Sequence, residues 1–60
     1  MNGQLVAILA NIAAAEARIA GMMSENIAAI NRGEGIVYSE DRFNSEAFQL
    51  DQLAIEARNA

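Results

Sequence analysis

The residues best suited to chemistry lie in the middle of the chain, around a glycine-rich turn. Arg32 precedes this turn, Tyr38 lies at its end and Arg42 follows four residues later. Two guanidinium groups and an aromatic ring are suited to a small phosphorylated or planar ligand. A helix beginning near Arg42 would add unpaired backbone N–H groups, which favour anions. The sequence therefore predicts a ligand site at these three residues, unless neighbouring carboxylates pair with both arginines.

Enzyme activity is not expected, because the usual catalytic residues are missing. The sequence has no His, Lys, Cys or Thr, which removes most activated nucleophiles and their bases. Glu40 and Asp41 are adjacent, but consecutive helical residues point in different directions and do not form a facing carboxylate pair. The segment 33–35, Gly-Glu-Gly, is too short for a phosphate-binding loop. We predict no catalytic residue, no metal site and no cofactor.

Length and charge limit the partners that this protein can have. Sixty residues allow a single domain, 1–60, and a chain this short without cysteine or histidine needs self-association to stabilise a core. A net charge of −4, with four arginines as the only bases, argues against nucleic acid and an anionic membrane. The uncharged residues 1–15 form a run too short for a membrane span. No basic residue precedes this run as in a secretory signal, and we expect a soluble, cytoplasmic protein.

The composition predicts an all-α fold made of one antiparallel helical hairpin. A long helix is expected at about residues 4–32, a loop at 33–39 and a shorter helix at about 40–59. Gly33 suits a left-handed helix cap, and Ser39 suits the start of the second helix. The second helix is expected to be continuous, with Asn44-Ser45 as the place where it would break.

Apolar spacing at 100° per residue predicts the faces that the two helices bury. On the first helix this stripe contains Leu5, Ile8, Leu9, Ile12, Ile19, Met23, Ile27 and Ile30. On the second it contains Phe43, Ala47, Leu50, Ala54 and Ala57, with Leu53 at its edge and Phe48 and Ile55 on the opposite side. Asn26 and Glu16 fall near the first stripe, where a polar group either fixes the register or bends out to water.

Self-association is predicted from the unequal lengths of the helices. If the shorter helix covers only the later part of the longer one, the apolar segment Leu5–Leu9 needs cover from a second copy. The expected product is a four-helix bundle or a higher homo-oligomer with coiled-coil-like packing. The predicted oligomer interface consists of Leu5, Ile8, Leu9, Ile12, Ile19, Met23, Phe48 and Ile55.

Three functions are compatible with this sequence. The first is a homo-oligomeric binding protein that modulates a protein partner with a basic surface, of the accessory or inhibitor type found in phages and mobile elements. The second is an oligomer that sequesters a phosphorylated or nucleotide-like ligand near the hairpin loop. The third is a purely structural oligomer.

Overall fold

The computed structural model describes residues 3–60 and confirms the predicted helical hairpin. Helix α1 spans Gly3–Asn31 and helix α2 spans Glu40–Asn59. The helices pack against each other and run in opposite directions. Two hydrogen bonds reveal this arrangement, one from Arg18 to Glu46 and one from Asn26 to the carbonyl of Tyr38. Helix α2 runs without a break through positions 44 and 45.

Helix α1 ends in a hydrogen-bonded glycine cap, as predicted. Gly33 has a φ of 79°, a backbone conformation that is accessible to glycine at little cost. The N–H of Gly33 donates to the carbonyl of Ile30 at 3.0 Å, and the N–H of Glu34 donates to that of Ala29 at 2.9 Å. These two bonds form a Schellman motif, which satisfies carbonyls that the helix end leaves unpaired.

Helix α2 begins after Ser39, although the serine hydroxyl makes no capping bond. Ser39 is extended, with φ −81° and ψ 170°, and its carbonyl accepts from the N–H groups of Arg42 and Phe43. Glu40 and Asp41 occupy the first turn. Their carboxylates lie at the positive end of the helix dipole, where negative charge is stabilising.

The buried face of α1 differs from the predicted stripe. All but one of the buried and half-buried side chains repeat every seven residues, with alternating spacings of three and four, and we call them the α1 seam: Leu5, Ile8, Ile12, Ala15, Ile19, Met22, Asn26 and Ala29. The exception is Ala28, which is half-buried beside Ala29. Leu9, Met23, Ile27 and Ile30 were expected in the core but are exposed. The predicted stripe was therefore wrong at Leu9 and in the later half of the helix, where the buried residues are Met22 and Ala29.

The buried face of α2 follows the same spacing and also corrects the prediction. The α2 seam consists of Phe43, Glu46, Leu50, Leu53 and Ala57. Glu46 and Leu53 are its two buried members, whereas Ala47 and Ala54 are exposed. Seams of spacing three and four on both helices are the pattern of a short antiparallel coiled coil.

Helix α2 covers part of the beginning of α1, where a gap was expected. Ile8 is only 6% exposed within the single chain. The loop folds back before α2 begins, so that Tyr38 already lies beside Asn26. Helix α2 then continues along α1 to the amino-terminal turns. The prediction of an uncovered Leu5–Leu9 segment is therefore wrong for Ile8, whereas Val6 and Leu9 of the same segment are 51% and 44% exposed.

The hairpin forms a single elongated layer. Its extents are 47 × 18 × 9 Å and its radius of gyration is 14.5 Å, whereas a compact chain of this length has a radius of about 10 Å. By length and composition α1 is able to cross a membrane, and 17% of its most apolar 18-residue window is buried. Much of the apolar surface of α1 therefore remains uncovered by α2.

Candidate interaction surfaces

A buried carboxylate joins the two helices near the middle of the hairpin. Arg18 donates from Nε and Nη2 to the two oxygens of Glu46, at 3.2 and 3.1 Å. Arg42 donates to the same carboxylate at 2.9 Å. The Arg18 hydrogen bonds, followed by that of Arg42, hold the pKa of Glu46 below its ordinary value, against the opposing effect of burial.

The arginines of this cluster also define one long side of the hairpin as polar. Arg18 donates a further bond to Gln49 Oε1 at 3.2 Å. Arg18 lies four residues before Met22, and Gln49 lies four residues before Leu53. The two residues therefore flank their seams at equivalent positions. Contacts of this kind are the flanking pairs of a coiled coil, and they set the register of the two helices.

Asn26 fastens the loop to α1 through three hydrogen bonds. Its Oδ1 accepts from the backbone N–H groups of Val37 and Tyr38, both at 2.9 Å. Its Nδ2 donates to the carbonyl of Tyr38, also at 2.9 Å. The side chain thus satisfies three backbone groups of the loop beside α1. Of the two roles considered for Asn26, the structure favours the fixing of register over exposure to water.

The three residues of the predicted ligand site are not brought together. Tyr38 and Arg42 line one open groove of about 420 Å³, together with Arg18, Gly21, Met22 and Glu25. Arg32 lies outside this groove and forms a bidentate pair with Glu34, with both distances 3.2 Å. Both arginines of the prediction are therefore paired with carboxylates, Arg32 with its neighbour and Arg42 with Glu46.

Beside its seam, α1 exposes a second set of apolar side chains. Leu9, Met23 and Ile30 follow the seam residues Ile8, Met22 and Ala29 by one position, and Val6 and Ile27 lie next to them on the helix surface. We call this set the outer face of α1: Val6, Leu9, Met23, Ile27 and Ile30. Each of these residues is 44% to 58% exposed. The face lies on the opposite side of the seam from Arg18.

A separate apolar ridge lies on α2, on the side turned away from α1. Phe48 is 66% exposed and Ile55 is 43% exposed, and they are seven residues apart on one side of the helix. The surrounding exposed acids on α2 are Glu40, Asp41, Asp51 and Glu56. We call Phe48, Ile55 and these four acids the acidic ridge of α2.

The residues predicted for an oligomer interface fall into two groups. Ile8 is buried and Leu5, Ile12 and Ile19 are half-buried, all four in the α1 seam. Leu9, Met23, Phe48 and Ile55 remain exposed, two on each helix. Only the second group is free to meet another molecule without opening the hairpin, and its role at an interface remains a prediction.

The charged side chains that make no ion pair are mostly acidic. Arg18, Arg32 and Arg42 are all paired with Glu34 or Glu46. Within residues 3–60, Arg58 is the one base outside these pairs. The acids outside the pairs are Glu16, Glu25, Glu40, Asp41, Asp51 and Glu56. In the same range, no three acidic side chains lie close enough to hold a metal ion.

Comparison with known protein families, curated proteins and solved structures finds no match to this chain.

Sequence reasoning missed Glu46, Arg18 and the bonding role of Asn26 in the loop. The missed signal was the regular spacing of three and four through both helices, which places Asn26 and Glu46 at core positions. A polar residue at a core position of such a pattern needs a bonded partner. That requirement would have directed attention to Arg18 and Arg42, because they are the arginines nearest the seams.

Proposed function

We propose that this chain is a non-enzymatic interaction protein that self-associates through the outer face of α1. The observation that carries the proposal is the row of large apolar side chains left exposed beside a fully formed seam. An apolar surface of this kind marks an interaction site more often than an accident of folding.

The shape of the hairpin supports a second copy as the molecule that covers this face. The chain exposes 4229 Å², whereas a compact monomer of its 6.4 kDa mass exposes about 3,800 Å². Stable domains consist of at least two packed layers of secondary structure, and one hairpin supplies a single layer. Two hairpins packed through this face would supply the second layer and form a four-helix bundle.

The distribution of charge supports the same interface. Glu16 is the one charged residue that lies on the outer face of α1, between Leu9 and Met23 at intervals of seven residues. Two alanines of α2, Ala47 and Ala54, lie on the same side of the hairpin and are exposed. Small side chains there would let a second hairpin approach closely. Few charges would lose their hydration when this surface is buried.

Sedimentation equilibrium of three glutamate variants tests the proposal. We expect the wild-type chain to sediment at no less than twice 6.4 kDa. Met23→Glu and Ile27→Glu should reduce this mass to that of the monomer, because a buried unpaired carboxylate is strongly unfavourable. Asn11→Glu is the matched control, because Asn11 is exposed on the polar side of α1, and it should leave the mass unchanged.

Two results would overturn self-association through this face. One is a wild-type monomer at micromolar concentration, and the other is a Met23→Glu variant of unchanged mass.

Flotation with phosphatidylcholine vesicles is measured in parallel, because α1 is apolar enough to insert into a membrane. A monomer whose flotation is abolished by Met23→Glu would assign the face to lipid. A folded oligomer that binds nothing else would be a purely structural assembly.

A second candidate function is the binding of a small phosphorylated ligand, because Tyr38 and Arg42 line one groove. Both arginines of this groove already bond Glu46, and Glu25 adds a negative charge. These contacts leave little net positive charge for an anion, which is why the proposal ranks second. A rise in melting temperature with adenosine monophosphate, lost in Arg42→Ala and kept in Arg32→Ala, would support it. The absence of such a rise would remove it.

A further inference from the structure

We propose that the acidic ridge of α2 is a docking surface for a basic amphipathic helix of another protein. This surface lies on the other helix from the proposed self-association face, so the inference does not depend on self-association. Its apolar part consists of Phe48 and Ile55, which α2 presents away from its seam.

The spacing of the two apolar residues fits a helical partner. Phe48 and Ile55 are seven residues apart, which corresponds to two helical turns and about 10 Å along the axis. Between them lie Asp51 and Gln52, both exposed. An apolar pair at this interval is the surface that an amphipathic helix recognises with its own residues at i, i+3, i+4 and i+7.

The charges around this pair select the sign of the partner. Glu40, Asp41, Asp51 and Glu56 are exposed and make no ion pair within residues 3–60, and Arg58 is the nearby base. The four acids and Arg58 together carry a formal charge of −3. Lysine or arginine side chains beside the apolar residues of a partner would complement this charge and accelerate association.

The same charges argue against a second copy of this chain as the occupant. Two such ridges facing each other would place eight acids close together, and like charges across an interface are unfavourable. Phosphate-rich partners are disfavoured for the same reason, because their binding depends on positive protein charge. The outer face of α1 does not have this restriction, since Glu16 is its one charged residue.

Two synthetic helical peptides of opposite charge test the proposal. Both carry leucines at i, i+3, i+4 and i+7, and their remaining positions are lysine in one and glutamate in the other. Binding is measured by fluorescence anisotropy of the labelled peptides. We expect the lysine peptide to bind at least tenfold more tightly than the glutamate peptide, and Phe48→Ser to weaken it about tenfold.

Matched variants locate the binding surface. Asp51→Asn should also weaken the lysine peptide, whereas Ile36→Ser, which removes a 57% exposed apolar side chain from the loop, should leave its affinity unchanged. The solution mass of Phe48→Ser should equal that of the wild type, and its melting curve checks that it folds. Because Phe48 is 66% exposed, its replacement is not expected to unfold the hairpin.

Four results would overturn the proposal. They are equal or absent binding of the two peptides, unchanged binding by Phe48→Ser, loss of binding in Ile36→Ser, and a lower solution mass of Phe48→Ser. The last result would instead assign the ridge to contacts between copies of this chain. Failure of self-association alone, seen as a wild-type monomer that still binds the lysine peptide, would leave this inference intact.

Discussion

Glu46 is the residue that most clearly ties sequence to structure, because it is an acid at a core position. It is 3% exposed and accepts hydrogen bonds from Arg18 and Arg42. A buried carboxylate is unfavourable without partners, and these two guanidinium groups supply them. We infer that the cluster selects one register of α2 on α1, since any shift of register would separate Glu46 from Arg18 and leave Arg42, on the same helix, as its partner.

The cluster predicts a specific dependence of stability on pH. Because the folded-state pKa of Glu46 is lowered, its contribution is complete above the pKa of an unfolded glutamate, about 4.3. The contribution is lost as the pH falls from there through the folded-state pKa. Glu46→Gln should therefore melt below the wild type at neutral pH, and the difference should shrink near pH 3.

Thermal melts of wild type and variant at both pH values measure this difference directly. Glu56→Gln is the matched control, because Glu56 is exposed on the same helix and outside the ion pairs. The control should melt close to the wild type at both pH values. A wild-type advantage over Glu46→Gln that is equal at neutral pH and near pH 3 would contradict the proposed role of the ionised carboxylate.

Asn26 provides the second prediction at the scale of single residues. Its side chain makes three bonds, each of 2.9 Å, with the backbone of Val37 and Tyr38. Asn26→Ala would remove these three bonds, and a hydrogen bond of this kind contributes about 0.5–1.5 kcal/mol. Urea unfolding should show this loss, and the amides of Val37 and Tyr38 should exchange faster with solvent.

The same substitution at an exposed asparagine of α1 is the control, because it changes helix propensity without removing hydrogen bonds to the loop. Asn11→Ala lies on α1 but makes none of these contacts, and it should be neutral or slightly stabilising. Equal stabilities of Asn26→Ala and Asn11→Ala would show that the loop does not depend on the Asn26 side chain.

At the scale of the elements, the sequence predicted where the helices lie but not which faces they bury. The bounds of both helices followed from Gly33, Ser39 and the absence of proline, which are local signals. The buried faces depend on how two helices wind around each other. In a straight helix the apolar direction drifts by about 20° per seven residues, and supercoiling removes this drift. The predicted stripe, which assumed 100° per residue, therefore drifted away from the buried face and included Met23 in place of Met22.

The residues of the candidate interaction surfaces were also predicted only in part. The exposure of Phe48 and Ile55 followed from their position opposite the α2 seam. The separation of Arg32 from Tyr38 and Arg42 did not, because it depends on pairs with Glu34 and Glu46 that side-chain geometry decides. Sequence spacing places these residues at one end of the hairpin but does not determine which carboxylate each arginine meets.

The glycine that caps α1 and a glycine within it give predictions of opposite sign. Gly33 has a φ of 79°, so Gly33→Ala should destabilise the hairpin by about 1–2 kcal/mol through backbone strain. Gly21 lies within α1, and an added Cβ there would meet no atom within 4 Å. Gly21→Ala should therefore stabilise the hairpin by about 0.8–1 kcal/mol through helix propensity. Chemical unfolding of both variants measures the two effects, and a loss of stability in both would show that Gly21 is needed for a close approach by another helix.

At the scale of the whole molecule, one hairpin leaves more surface uncovered than its size requires. The seam buries Ile8, Met22 and Leu53 as its larger apolar residues, and its two side chains without any exposed surface are Ala15 and Ala29 among residues 3–60. A small core in an elongated layer is a reason to expect dependence on a second copy. The melting temperature of an oligomer rises with protein concentration, whereas that of a monomer does not.

Glu16 offers a gain-of-function test of the proposed assembly. It is exposed and occupies the same position in the seven-residue pattern as Leu9, Met23 and Ile30. If a second hairpin covers this face, Glu16→Leu should add apolar contact and remove a charge, and burial of one leucine contributes about 1.5–3 kcal/mol. Self-association should then tighten by tenfold or more, which sedimentation equilibrium over a range of concentrations measures.

Ala17→Leu is the control, because it adds the same exposed side chain one position away, on the side of α1 opposite the seam. Equal tightening by both variants would mean that added hydrophobicity alone causes association, and that the outer face of α1 has no special role.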